Sequence, residues 1–419
     1  MKQNFLRLIA DLRFSIFIIL FISLSSILGT IIEQDQTFET YKLNYPLTNP
    51  ILGFFSWDII LKFGLDHIYR TWWFLSLILL FSLSLSICSF IQQLPSLKIA
   101  RRCQFFRLSK QFYQLKIFTN LKDFSFNTLS LRLRQKKFSI FQQKNILYCY
   151  KGLIGKITPL VVHFSMILVL FGTVIGSLFG LKSQELISKT EVFHIQNILN
   201  ASNISVLPHL SNRINDFWIN YTEKETISQF YSDLSILDEN GHEIVQKTIF
   251  VNSPLIYKGI YYYQTDWELT GVRFKNDKGT VFEYPLVSLM VNKKKVWLTW
   301  ISNKILFRDK LILIFDNLEG YGSIYDKNGI FIGNIELNEY YENIQMLDIL
   351  PLTGLQIKTD PGIPFIYFGF FYLIISIFLS YKTYSQLWIL QRNKRLFVGG
   401  TTNRAIFDFE LEFFKLIKK

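Results

Sequence analysis

Four long runs of apolar residues dominate the hydrophobic pattern of the chain, at residues 14–32, 72–91, 159–180 and 363–381. None of these runs contains Asp, Glu, Lys or Arg. An α-helix needs roughly 18–20 apolar residues to cross the ~30 Å hydrocarbon core of a bilayer. Each run therefore predicts a transmembrane helix. The alternative, four buried helices of a large soluble protein, is disfavoured because the runs are so long and free of charge.

The stretch between the third and fourth runs, residues 181–362, has a pattern typical of β-strands. Residues 230–237 and 243–251 are rich in strand formers and flank a turn that contains Asn240-Gly241, which is a hairpin signal. Residues 261–267 are also rich in strand formers. The predicted fold class is an integral membrane protein with four transmembrane α-helices and a large β-rich extracytoplasmic (lumenal) domain between spans three and four.

Charge is distributed unevenly among the segments that connect the spans. The N-terminal tail (1–13), the basic loop (92–158) and the C-terminal tail (382–419) together carry a formal net charge of +20. The outer loop (33–71) and the β-rich domain (181–362) together carry −7. The positive-inside rule then places both termini and the basic loop in the cytoplasm or stroma. Attraction to anionic lipid explains the basic loop, so no nucleic-acid partner is predicted.

Alternating stretches of the basic loop, such as 112–118 and 139–147, predict strands and a small β-rich layer on the inner side. The chain has only three cysteines, Cys88, Cys103 and Cys149, none in a Cys-x-x-Cys motif. The β-rich domain contains no cysteine, which excludes thiol exchange from its chemistry. No phosphate-binding, zinc-protease or serine-hydrolase motif is present.

The third span carries the residue with the strongest chemical signal, His163. Gly172, Gly176 and Gly180 recur every four residues and predict a ridge against which another helix packs closely. At ~100° per residue, His163 lies half a turn away from that ridge. An ionisable group within a span is a functional-site candidate. Its imidazole suits axial ligation of iron, and the alternative is a packing histidine that hydrogen-bonds a neighbouring backbone or serine.

The other four histidines, His67, His194, His209 and His242, lie in the predicted outer segments. Taken one at a time, each is better explained as a surface or core histidine. The sequence does not decide whether any of them binds haem.

Several short motifs, in a fixed order along nearly the whole chain, resemble those of the ResB/CcsB family of system II cytochrome c biogenesis proteins. In chain order they are Leu12-Arg13-Phe14, Leu28-Gly29-Thr30, Cys88, Gln93-Leu94-Pro95, Val162-His163-Phe164-Ser165, Tyr231-Ser232-Asp233-Leu234, Val251-Asn252-Ser253-Pro254-Leu255, Tyr263-Gln264-Thr265-Asp266-Trp267, Asp360-Pro361-Gly362-Ile363-Pro364, Ser380-Tyr381 and Gly399-Gly400-Thr401-Thr402-Asn403-Arg404-Ala405. Any one motif is weak, whereas their order together with four spans and one outer domain is specific.

The resemblance implies a function that spacing alone does not give. Members of the family act with a second membrane protein, CcsA, to move haem across the membrane and attach it covalently to apocytochrome c; in a plastid the substrate is cytochrome f. The chain would thus be a component of a cytochrome c synthase (haem lyase) complex and not catalytic by itself. His163 maps onto the intramembrane histidine of the family and becomes the candidate axial ligand of transiently bound haem b. The alternative function is a haem-free scaffold that stabilises CcsA and docks apocytochrome c.

One departure from the family pattern concerns Tyr384, which stands where many relatives have a histidine. Tyr384 therefore does not count as a haem ligand. In the β-rich domain Tyr263, Gln264, Asp266 and Trp267 are candidate partner contacts, and a core strand is the competing interpretation.

The residue bias, with 41 Phe and only four Ala, is typical of AT-rich coding. No transit peptide or cleavable signal peptide is recognised at the start of the sequence. With the family resemblance, these features predict a multi-pass plastid thylakoid protein, with a bacterial cytoplasmic membrane as the alternative.

Overall fold

The computed structural model describes residues 2–51, 53–122, 125–202, 204–206, 210–223, 226–291, 294–301, 311–341, 344–392 and 395–418. The chain divides into two compact units. The first, here called the membrane-helix unit, comprises Met1–Gln34, Tyr45–Ser177 and Gly362–Lys419. The second, the β-rich unit, comprises Asp35–Asn44 and Leu178–Pro361.

The α-helices of the described residues are, in chain order, α1 (Lys2–Ile9), α2 (Leu12–Ile31), α3 (Phe38–Asn44), α4 (Trp57–Lys62), α5 (Trp72–Cys88), α6 (Leu94–Arg101), α7 (Ser109–Phe112), α8 (Phe126–Gln135), α9 (Ile154–Phe179), α10 (Ile363–Ser380) and α11 (Ile406–Ile417). A 3₁₀-helix covers Leu65–Arg70, and a π-helical turn, Ser89–Gln93, joins α5 to α6.

The strands of the described residues are, in chain order, β1 (Ile117–Lys122), β2 (Ser139–Gln143), β3 (Ile146–Lys151), β4 (Leu181–Ser188), β5 (Val192–Phe193), β6 (Ile198–Ala201), β7 (Ser211–Tyr221), β8 (Ile227–Leu237), β9 (Glu243–Phe250), β10 (Leu255–Tyr257), β11 (Ile260–Asn276), β12 (Val281–Pro285), β13 (Val287–Val291), β14 (Lys294–Ile301), β15 (Leu311–Phe315), β16 (Tyr321–Asp326), β17 (Phe331–Glu336), β18 (Tyr340–Tyr341), β19 (Ile344–Thr359), β20 (Ser385–Arg392) and β21 (Arg395–Thr402).

Four helical stretches of the described chain are long and apolar enough to cross a membrane, and they coincide with the four apolar runs. They are α2, the continuous helix Trp72–Arg101, α9 and α10. With the β-rich region between α9 and α10, they confirm the predicted fold class. The second helix continues ten residues beyond the apolar run, because basic residues such as Lys98 end the hydrophobic pattern but favour the C-terminal turn of a helix.

A five-stranded antiparallel sheet in the membrane-helix unit has the strand order β1-β21-β20-β3-β2. It joins strands from the basic loop to β20 and β21, which follow α10, so the described part of the C-terminal tail contributes to this sheet. Helices α8 and α11 cover one face of the sheet, where Leu133 and Phe413 pack against Leu147 and Ile389.

The strands predicted in the basic loop are confirmed by β1, β2 and β3, but their bounds differ from those of the two alternating stretches. Residues 112–118 are not one strand, because α7 ends at Phe112 and β1 begins only at Ile117. Residues 139–147 do not form a single strand either, since Lys144 turns the chain with a positive φ of 50° between β2 and β3. In both segments the alternation of apolar and polar residues continues across a turn, so the pattern alone does not show where a strand begins or ends.

The β-rich unit contains three sheets built from β4 to β19. The central sheet has the order β10-β11-β19-β4-β6, with β12 and β18 paired to its two longest strands. One core cluster packs residues of the central sheet against β14–β17, and a second packs them against β5, β7, β8 and β9. The predicted hairpin at 230–251 is confirmed, because β8 pairs with β9 in an antiparallel register.

Candidate functional site

His163 lies in the first half of α9, half-buried against the end of the second span. Its Nδ1 atom is 3.0 Å from the Oγ atom of Ser89, the first residue of the π-helical turn. The same hydroxyl of Ser89 donates to the backbone carbonyl of Leu85, four residues earlier on α5, at 2.8 Å. One edge of the imidazole is therefore held by the second span.

The opposite face of α9 contacts the fourth span through Gly172. An ideal Cβ on Gly172 would lie 2.8 Å from Cγ1 of Ile366 and 2.9 Å from the carbonyl oxygen of Gly362. The predicted separation of the histidine from the glycine face is thus confirmed. Gly180 is not part of this ridge, because α9 ends at Phe179.

The Nε2 atom of His163 has no hydrogen-bond partner among the residues that the structure describes. An imidazole with one nitrogen tied and the other free can coordinate a metal through the free lone pair. No group of three or more His, Cys, Asp or Glu side chains in the described ranges could hold a bare metal ion. The single nitrogen fits an axial ligand of iron in haem, where the porphyrin supplies the other ligands.

An apolar cavity of about 410 Å³ lies beside this contact, and Ser89 forms part of its wall. The remaining lining residues are Ser86, Phe90 and Leu94 from the second span and Leu160, Val161, Phe164 and Ile167 from α9. The side chains of Phe90 and Phe164 are largely exposed, so they offer aromatic surface to a flat apolar ligand. Haem has such a flat, mostly apolar ring, which suits these surroundings.

The other described histidines are distributed through the chain and do not assemble with His163. His67 pairs with Asp66 at 2.8 Å, and His242 lies 3.4 Å from Asp238 in an exposed turn. The Nδ1 atom of His194 lies 3.2 Å from the carbonyl oxygen of Leu210. His209 lies outside the described residues. Each described one has a local partner, which is the pattern expected of surface histidines.

The four candidate contact residues on β11 have different environments. Gln264 is buried, with only 3% of its surface exposed, and its Oε1 accepts a hydrogen bond from Ser232 at 2.5 Å. Its amide joins a buried polar network between two sheets, so Gln264 offers almost no surface to a partner, and its role as a contact stays a prediction. Tyr263 and Trp267 are half-buried, and Asp266 is exposed, so these three keep accessible surface.

Tyr384 is buried at the start of the sheet region that follows α10. Its hydroxyl donates to the carbonyl oxygen of Ala100 at 2.9 Å and lies 3.4 Å from the hydroxyl of Tyr148. Burial, the largest cause, and the neighbouring Tyr148 hydroxyl raise the pKa of Tyr384 far above its usual value. A neutral phenol committed to a carbonyl does not coordinate iron, so Tyr384 ties the end of α6 to the sheet.

The sequence did not identify Ser89 as part of the site. In the sequence Ser89 is only a serine near the end of an apolar run, six residues before Pro95, and neither feature indicates a binding site. Ser89 lies 74 residues from His163 in the chain, so pattern reasoning did not bring them together.

A model of the ResB-like family matches residues 12–297 and 336–414. The chain belongs to the ResB-like family. "Cytochrome c biogenesis protein Ccs1" of Phaeodactylum tricornutum is 62% identical over the full length of both chains. "Cytochrome c biogenesis protein CcsB" of Nostoc sp. is 41% identical over 100% of this chain and 93% of its own. ResB-like relatives of this chain thus occur in a diatom and a cyanobacterium.

Among solved structures, "Cytochrome c Heme Lyase CcmF" aligns with 77% of this chain and 42% of its own length. The TM-score is 0.27 and the identity 7%. At that score the likeness supports no inference about this ResB-like chain.

Proposed function

We propose that this ResB-like chain takes part in cytochrome c biogenesis as a haem-handling membrane subunit. Its relatives along the full chain are named for cytochrome c biogenesis. The observation that carries the haem role is the Nε2 atom of His163 within a membrane span, which has no partner among the described residues. His163 does not itself line the apolar cavity, but Ser89, which contacts its Nδ1 atom, does. Following the family resemblance, the partner would be CcsA, and apocytochrome c, such as cytochrome f, would receive the haem.

In this proposal His163 would ligate the iron of transiently bound haem b, and CcsA would supply a second ligand. When bound, haem would supply the vinyl groups that react with the substrate thiols. The chain itself would orient the ring and exclude water through the apolar residues near His163. The β-rich unit provides the surface for apocytochrome c or for CcsA, with Tyr263, Asp266 and Trp267 as candidate contacts.

A second candidate function, a haem-free scaffold that stabilises CcsA, is favoured by the hydrogen bond between His163 and Ser89. In that case the histidine serves only helix packing. The two functions differ when the complex is purified with a CcsA whose own histidines are replaced. If the chain handles haem, this complex retains haem absorbance through His163. If the complex loses all haem absorbance, the chain is a scaffold.

The proposed location is the thylakoid membrane, with both termini and the basic loop on the stromal side. The charge distribution supports this orientation. It applies equally to a bacterial cytoplasmic membrane with the cytoplasm in place of the stroma.

Two natural cysteines provide a test of this orientation. Cys103 is exposed, and Cys149 is buried in β3, where burial raises the pKa of its thiol to about 12. A membrane-impermeant maleimide at pH 8 should label Cys103 in sealed vesicles whose stromal face is outward. Cys149 should stay unlabelled until the protein is denatured, because its thiol remains protonated far below pH 12 and is covered by the sheet.

The control for this labelling is Cys103→Ser, which should remove the signal from intact vesicles. Labelling of Cys103 only after the membrane is permeabilised would reverse the proposed orientation.

A further inference from the structure

We propose that Ser89 is a positioning residue that holds His163 in the tautomer with its proton on Nδ1. The Nε2 lone pair is then permanently available to the iron of a porphyrin. This inference rests on the proposed function for the identity of the ligand, but the tautomer itself is a property of the chain without haem.

The direction of the hydrogen bonds follows from the chemistry of the three groups. The Oγ atom of Ser89 is 2.8 Å from the carbonyl oxygen of Leu85 and 3.0 Å from Nδ1 of His163. A carbonyl oxygen only accepts, and a serine hydroxyl has one hydrogen to donate. Since that hydrogen is directed to Leu85, the hydroxyl oxygen accepts from His163. Nδ1 therefore carries the proton.

The opposite tautomer is disfavoured at this position. Ser89 would have to turn its hydrogen away from the carbonyl of Leu85 to donate to a bare Nδ1, which breaks the existing bond. Only 8% of the surface of Ser89 is exposed, so water does not easily replace the missing bond.

The shape of the second span explains why Ser89 reaches the histidine. Pro95 lacks a backbone N–H, and its ring clashes with the carbonyl four residues earlier, so a regular helix is disturbed there. The chain widens into the π-helical turn Ser89–Gln93, in which the N–H of Leu94 bonds to the carbonyl of Ser89. Single π-turns of this kind are frequent at functional sites. Here the turn begins with the residue that touches His163.

The experiment measures the tautomer directly in the haem-free protein. Full-length protein labelled with ¹⁵N-histidine is purified in detergent, and its ring nitrogens are recorded by NMR. The chain has five histidines, and the spectrum of His163→Ala identifies the signals of interest by subtraction. The wild type should show a protonated Nδ1 and an unprotonated Nε2.

Three variants separate the positioning role from a merely structural one. Ser89→Ala should populate the second tautomer and weaken haem binding in a titration with ferric haem by about 10-fold to 100-fold, as for other groups that orient a metal ligand. Ser89→Thr should behave like the wild type, because a helical threonine hydroxyl also bonds the carbonyl four residues earlier. Ser76→Ala is the matched control and should leave the tautomer and the haem affinity unchanged: Ser76 lies on the same span, but its hydroxyl bonds the carbonyl of Trp73, and it is not among the cavity residues.

Two results would overturn the inference. One is a wild-type spectrum with the proton on Nε2. The other is Ser89→Ala with an unchanged tautomer and unchanged haem affinity. Failure of the proposed function gives a different result. In that case His163→Ala binds ferric haem as the wild type does, whichever tautomer the NMR spectrum shows.

Discussion

Replacing His163 with alanine should abolish haem absorbance at the site when the chain is purified with its partner, and covalent haem in c-type cytochromes should fall with it. His163 is the iron ligand in the proposal. Its removal should therefore lower haem affinity by more than the roughly 10-fold to 100-fold that is typical when a residue that only orients a ligand is replaced. The measurements are the absorbance spectrum of the purified complex and haem staining of membrane proteins after denaturing electrophoresis.

Two controls make this result specific to the iron ligand. His242→Ala changes an exposed turn histidine and should leave both measurements unchanged. Imidazole added to the His163→Ala complex should restore part of the absorbance, because it enters the space left by the side chain and supplies the missing nitrogen. If His163→Ala keeps full haem absorbance and full cytochrome assembly, the chain is a scaffold and His163 is a packing residue.

The parts of the fold that the sequence predicted are those set by local pattern. The apolar run at 363–381 coincides with α10, because an uncharged run of that length has the length and composition of a membrane-spanning helix. The hairpin of β8 and β9 follows from a turn sequence between two strand-forming segments. In each case the residues that decide the structure are close together in the chain.

The parts that the sequence did not predict depend on contacts between distant segments. Strand β20 pairs with β3 from Ser385 to Leu390, although the two strands are separated by the third span, the β-rich unit and the fourth span. The alternation along 385–402 does not reveal this partner. The candidate site shows the same division: His163 stands out as an ionisable residue in an apolar run, whereas Ser89 gains its meaning only from the packing of two helices.

The contact between the third and fourth spans gives the second prediction, which concerns stability. Gly362 precedes α10, and an ideal Cβ there would lie 2.0 Å from the carbonyl oxygen of Gly172 and 2.8 Å from the N atom of Gly176. Both obstacles are backbone atoms, which cannot rotate away as a side chain does. Gly362→Ala should therefore push the two spans apart and destabilise the protein by about 3 kcal/mol, the upper end for overpacking.

Two further alanine variants set the scale for this measurement, which is thermal unfolding of the purified protein in detergent. Gly172→Ala should be milder, since the nearest backbone atom to its Cβ position, the carbonyl oxygen of Gly362, is 2.9 Å away and not 2.0 Å. Gly333→Ala should be neutral, because nothing lies within 4 Å of its Cβ position. Because the contact is on the side of α9 away from His163, Gly362→Ala should reduce the amount of assembled protein but not the haem bound per folded molecule. Equal stability of the three variants would mean that the two spans do not pack through these glycines.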